Sequence, residues 1–194
     1  IYTSDHGENA GARGQWGKSN HYEEASGIPI ILAGAGVPVG KISRTPVSLV
    51  DVHPSIINWT IAEDPEAGEL PGRCLFGIAL ADDDPDRVAF SEYHAEKSPS
   101  GSFMIRKGRY KYIHYVGFEP ELFDLESDPE EEHDLSDDPL YVDVLRDYEA
   151  ILRNMIDPED IDRQANAAQK EVIERAGGPE QVFANLVTTK SYTP

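Results

Sequence analysis

Asp5 and His6 stand side by side near the start of the chain, followed by Gly7 and Glu8. A carboxylate oxygen and an imidazole nitrogen can share one divalent ion, and such an ion neutralises charge on an anionic substrate. Adjacent residues of a strand face opposite sides, so both reach one ion only where the strand ends. Gly7 is the residue expected to let the chain turn there. Gly11, Gly14 and Gly17 then mark a loop that delivers Lys18, whose ammonium can meet an anionic oxygen. His21 follows closely and is a candidate for lining the same pocket. Glu8 either orients His6 or is solvated. Each feature alone has an ordinary alternative: D-H-G as a polar turn, Lys18 and Arg13 as solvated loop charges, His21 as a packed side chain.

These residues need elements to hold them. Ile1 to Thr3 is β-prone and leads into the Asp5 turn. Tyr22 to Ala25 reads as a short turn of helix, and Ile28 to Ala33 as a buried strand with Pro29 near its start. Asp51 is expected to cap a helix with Pro54 in its first turn and Ile56, Ile57 and Ile61 on its apolar side. Glu63 to Gly72 reads as loop. Strands alternating with helical or loop segments up to this point suit α/β architecture.

The pattern then changes. Arg87 to His94, Ser102 to Arg106, Tyr110 to Tyr115 and Leu122 to Leu125 are closely spaced strands, with Lys107-Gly108-Arg109 as a hairpin turn. They predict a small antiparallel sheet. Asp138-Pro139 and Asp157-Pro158 each read as a helix cap with proline at the first helical position, and Gly177-Gly178-Pro179 separates a further helix. Leu145, Tyr148, Ile151, Leu152, Met155 and Ile156 form one helical stripe. The expected division is residues 1–86 for the α/β part and 87–194 for the sheet with its helices.

Composition narrows the partners. The 194 residues carry 36 acids against 17 bases, a net charge of −19, which argues against nucleic acid or an anionic membrane surface. No apolar run approaches the roughly 20 residues that span a bilayer. The single cysteine, Cys74, excludes an internal disulfide and a Cys-rich zinc site, and a small buried residue is its expected role. The acid is concentrated: residues 119–162 hold 18 acids and 2 bases, and read as a solvated outer face.

Taken in order, the motifs carry more than their parts. Thr3-Ser4-Asp5-His6-Gly7-Glu8, Gly14-x-Trp16-Gly17-Lys18, Tyr22-Glu23-Glu24 and Ile28-Pro29-Ile30-Ile31 resemble the latter part of the sulfatase family, in the alkaline-phosphatase-like superfamily. Val47 to Ser55, Gly72-Arg73-Cys74-Leu75, Lys107 to Tyr112, Glu121 to Leu125 and Asp128-Pro129-x-Glu131 continue the resemblance to about residue 150. Gly177-Gly178 with Tyr192-x-Pro194 is similar to bacterial choline-sulfatase-type members.

The resemblance implies the C-terminal part of an alkaline-phosphatase-like α/β/α sheet domain followed by a small antiparallel subdomain. It implies that Asp5 and His6 bind a divalent metal, usually Ca²⁺, and that Lys18 contacts the sulfate ester. The family's nucleophile is a formylglycine made in a C/S-x-P-x-R motif, and this sequence has no such motif. The chain is therefore expected to be a C-terminal fragment, inactive alone, whose partners are a small anionic sulfate ester and the upstream part of the same protein. An interrupted sheet would leave an open edge, which predicts self-association into a homo-oligomer. One alternative is a fragment of a related phosphodiesterase or phosphonate monoester hydrolase, with Mn²⁺ or Zn²⁺. Another is a non-catalytic binding or assembly module.

Overall fold

The β-prone start of the chain forms a strand of only two residues. The computed structural model describes residues 1–60, 71–95 and 98–189. β1 (Tyr2–Thr3) pairs antiparallel with β2 (Ile30–Ile31), and between them lies one short helix, α1 (Glu23–Ser26). The buried strand expected over Ile28–Ala33 is shorter and more open than its composition suggests, with Ile31 56% exposed. Pro29 offers no N–H to a ladder, and β2 has only β1 beside it among the described residues.

The next helix, α2 (Val52–Thr60), is entered through a 3-10 turn over Leu49–Asp51. Its cap is Ser48 rather than Asp51. Asp51 sits three residues on and returns its carboxylate to the Ser48 N–H at 2.8 Å, a reciprocal capping box. Asp51 is fully buried and its other oxygen binds the Arg73 N–H at 2.8 Å and Arg87 Nη2 at 2.6 Å. Ser55 donates to the Asp51 carbonyl at 2.5 Å and accepts from the Leu75 N–H at 2.7 Å, which docks α3 (Leu75–Leu80). Trp59 stacks on Phe76 with centroids 4.7 Å apart. Cys74, expected to be buried, is half-exposed at the start of α3. Ile61 and residues 63–70 of the expected loop lie outside the described residues.

Four alternating segments then build the main sheet. β3 (Val88–Tyr93), β4 (Ser102–Lys107), β5 (Tyr110–Tyr115) and β6 (Glu121–Asp124) lie in chain order and are all antiparallel. Lys107 pairs with Tyr110, so Gly108 and Arg109 alone make the turn; Gly108 has φ +51°, which glycine adopts without strain. Period-two alternation gives the sheet two buried faces. Phe103, Ile105, Tyr112 and Leu122 meet Tyr148 and Leu152 of α4 (Val142–Met155), while Met104, Ile113 and Phe123 pack with Tyr22 and Leu125.

The C-terminal helices follow their caps. Asp138 accepts from the Leu140 N–H before a 3-10 turn that leads into α4. Asp157 accepts from the Asp160 N–H at the start of α5 (Pro158–Arg175), and α6 (Pro179–Thr189) follows the glycine pair. Met155 departs from the predicted stripe and is 48% exposed. The helix ends there, and Ile156, in extended conformation, packs against the core instead. No helix among the described residues is long and apolar enough to cross a membrane.

Candidate active site

Gly7 does not serve the turn it was expected to serve. Its φ is not positive; what it provides is close approach. A Cβ there would lie 2.0 Å from the Glu24 carbonyl oxygen, and the Gly7 N–H donates to the Ala25 carbonyl at 2.8 Å. The segment after Asp5-His6 is thus seated directly on α1.

That seating fixes the imidazole. His6 Nδ1 lies 2.7 Å from the Gly7 carbonyl, which can only accept, so Nδ1 carries the proton. Nε2 is left with its lone pair, and the Lys18 ammonium donates to it. The Asp5 carboxylate reaches the same nitrogen at 3.4 Å. Desolvation acts to raise the Asp5 pKa, but backbone hydrogen bonds and the charges nearby outweigh it, and the carboxyl sits below its ordinary value. Two ligand-type atoms and one ammonium therefore converge on one point.

The loop that delivers Lys18 is tied shut by side chains. Asn9 is buried and its backbone and amide N–H groups both bind the Gly17 carbonyl, the former at 2.9 Å. Glu8 accepts from the Gly17 N–H at 2.6 Å, so it helps to shape the loop. Asn20 donates to Asn9 Oδ1 at 3.1 Å.

Asp5, His6, Lys18 and His21 all line one cleft of about 640 Å³, which is also lined by residues 43–50 and by residues 89–93 of the edge strand β3. His21 is buried, and its Nε2 lies 3.1 Å from Ser102 Oγ. Burial pushes its pKa down to about 4, so at neutral pH it is an uncharged wall group.

Several residues at this site were not singled out from the sequence. Arg44 and Arg106 line the cleft. Arg13, read from the sequence as a solvated loop charge, instead pairs with Glu24 at 2.5 Å and lies 4.2 Å over the Tyr22 ring. Lys111, 1% exposed, binds Glu131 at 2.7 Å and Glu23 at 2.5 Å. Glu131 and Asp124 are buried, against the expectation of a uniformly solvated acidic face. Arg109 holds Asp124 through two hydrogen bonds. The charged residues of the later motifs are thus ion-pair partners of one another and of α1. Their sequence signal was a lysine alternating with apolar residues within a strand.

Comparison with known proteins follows the same motifs. A family described as "N-sulphoglucosamine sulphohydrolase, C-terminal" matches residues 11–157, which include Lys18 and follow Asp5 and His6. Arylsulfatase K of Danio rerio is 30% identical over 179 residues, 88% of this chain and 34% of the relative. Choline-sulfatase of Rhizobium meliloti (strain 1021) is 35% identical over 141 residues, 72% of this chain and 27% of the relative. A solved 2-O GAG sulfatase superposes with a TM-score of 0.64 at 29% identity, over 79% of this chain and 35% of that one. The fold is shared, at 24% identity, by the phosphonate monoester hydrolase of Agrobacterium radiobacter, with TM-score 0.66 over 79% of this chain and 34% of that one. The chain spans about a third of the length of the curated relatives it matches over most of its residues.

Proposed function

This chain belongs to the sulfatase family, and we propose that it forms the C-terminal part of a metal-dependent enzyme that hydrolyses sulfate esters. The observation that carries the proposal is the meeting of Asp5 Oδ2, His6 Nε2 and Lys18 Nζ at the wall of one cleft.

The donor chemistry fits a divalent cation at two positions. Asp5 offers an ionised oxygen. His6 offers the Nε2 lone pair, which the Lys18 ammonium now occupies and which a cation would take over, with the opposite ring nitrogen held by a backbone carbonyl, the arrangement that orients ligating histidines. No third His, Cys, Asp or Glu joins them among the described residues, so the remaining ligands belong to the rest of the enzyme in this reading. Ca²⁺ is the proposed ion, and when bound it would supply Lewis-acid stabilisation of charge on the ester oxygens.

Lys18 acts on the same charge from the protein side. Its ammonium is placed to bind an anionic sulfate oxygen and to stabilise the transferring group as charge shifts toward the leaving oxygen. The loop bonds from Asn9 and Glu8 hold it there before substrate arrives. His21, uncharged and buried, shapes the wall beside it. The nucleophile is proposed to come from a C/S-x-P-x-R segment outside these 194 residues, because the sequence holds none.

The test uses both the chain and the enzyme that carries it. The 194-residue chain with Ca²⁺ should turn over neither aryl sulfates nor phosphonate monoesters. In the full enzyme, Asp5→Ala should abolish Ca²⁺ binding and sulfate-ester hydrolysis together. Retention of both would remove Asp5 from the site, and preference for phosphonate esters would replace the sulfatase reading.

A further inference from the structure

We infer that Lys111 and Glu131, which lie in β5 and in the loop after β6, are positioning residues for Asp5, His6 and Lys18, an inference that rests on the site reading above. The two are nearly inaccessible, at 1% and 4% exposure. Lys111 Nζ is 2.7 Å from Glu131, 2.5 Å from Glu23 and donates to the His21 carbonyl at 2.9 Å. The second oxygen of Glu131 accepts the Glu23 N–H at 2.7 Å, fixing the first turn of α1. Burial raises the Glu131 pKa, and the Lys111 charge works against that rise.

α1 is the link to the site. Its Ala25 carbonyl takes the Gly7 N–H, its Glu24 carbonyl occupies the space a Cβ on Gly7 would need, and the Gly7 carbonyl takes the His6 Nδ1 proton. Each joint is a directional hydrogen bond or a contact with no slack. A second arm serves Lys18. Arg13 holds Glu24 and the carbonyls of Glu130 and Glu131, and it belongs to the loop that closes at Gly17. The first arm ends on the Glu131 carboxylate and the second on the carbonyls of Glu130 and Glu131.

Stability alone does not call for such a cluster. Buried ion pairs are often no better than apolar side chains of equal volume. What charges add is direction: the ammonium and the carboxylate fix where α1 begins, and hence where the His6 lone pair points.

The experiment is carried out on the 194-residue chain with the pair made neutral, Lys111→Met with Glu131→Gln, so that no charge is left buried alone. Imidazole ¹⁵N spectra should show His6 passing from the Nδ1-protonated form to a mixture of tautomers. Amide exchange at Gly7, taken relative to Ile113, should quicken at least tenfold. Arg153→Gln, which frees Glu149 and Glu159 on the helix-covered face of the sheet, away from Lys111, should leave both signals where they are. If the double variant does not fold, Glu23→Gln should move both signals in the same direction by less.

A folded double variant with His6 and Gly7 unchanged overturns the inference. Unchanged signals in Glu23→Gln, or the same changes in Arg153→Gln, overturn it equally. Failure of the site reading looks different: Asp5→Ala would leave the full enzyme's Ca²⁺ binding intact while the Lys111 variants still moved His6.

Discussion

Residues 1–86 and residues 87–189 are held together by different forces. Of the twelve buried hydrophobic residues among those described, only Ala25 and Leu75 lie in the first region. The second region has a continuous apolar core on both faces of a four-stranded sheet. The first has strands of two residues and almost no apolar core, so its buried groups are mostly polar, among them Asn9, His21, Asp51 and Ser55. The buried polar groups of the second, such as Lys111 and Glu131, lie beside an apolar core. The candidate chemistry sits in the first region, and nearly all of the buried apolar core sits in the second. An apolar core tolerates repacking, whereas a hydrogen-bonded framework fixes directions, which a site must do. Apolar burial therefore contributes most of the folding free energy in the second region, while the geometry of the site is set by polar contacts within the first region and between it and Lys111 and Glu131 of the second.

The sharpest way to break this contrast is to remove core. Phe103, fully buried between α4 and the sheet, should cost about 3–5 kcal/mol as Phe103→Ala in denaturant unfolding. A loss under about 1 kcal/mol would mean that the sheet is not where stability resides.

His21 tests the polar region next. Its pKa is about 4 in the fold against 6.5 when exposed, because burial disfavours the charged ring. The unfolded chain binds a proton between those values that the native chain does not. The associated stability is complete above about pH 6.5 and is lost as pH falls toward 4, by roughly 3 kcal/mol. The difference in stability between the wild type and His21→Gln should show this slope in urea titrations at several pH values; a flat difference would mean that His21 is solvated.

A smaller effect is expected at the capping box. Ser48→Ala removes the side-chain half of the cap on the turn into α2 and should cost about 1 kcal/mol, read as a shift in the denaturation midpoint. The Asp51 half would remain, since it is also held by Arg87 and the Arg73 N–H.

How far each region could be read from the sequence follows the same division. The hairpin turn at Gly108, the Asp138-Pro139 and Asp157-Pro158 caps and the strands of the sheet are local signals, and they were legible. Asp5, His6, Lys18 and His21 were legible as candidates because motif order names them, and the fold places them on one cleft. The long-range polar contacts were not legible. Glu131 lies among 18 acids that look solvated, and its burial depends on Lys111, twenty positions earlier on a strand, and on Glu23, more than a hundred earlier. Glycine at position 7 permits a turn; that a Cβ there would lie 2.0 Å from the Glu24 carbonyl oxygen is a property of packing that no local signal carries. Asp51 has the position of a cap because it precedes Pro54, yet the cap lies three residues before it.

The smallest predicted effect tests the contrast where it is most exposed. Ile31 is an isoleucine in a strand, the kind of residue that sequence reading assigns to a core, yet it is 56% exposed in this chain. Ile31→Ser should therefore change stability by no more than about 0.5 kcal/mol, whereas the same change at the fully buried Ile113 should cost at least about 2 kcal/mol. Denaturant unfolding at two protein concentrations decides it. Equal small shifts at both concentrations mean that β2 adds little to the stability of this chain. A cost above about 1.5 kcal/mol that grows with concentration means that Ile31 is covered by a second copy, since only association makes stability depend on concentration. In that case the apolar surface of residues 1–86 would contribute to stability after all, through self-association rather than folding of the single chain.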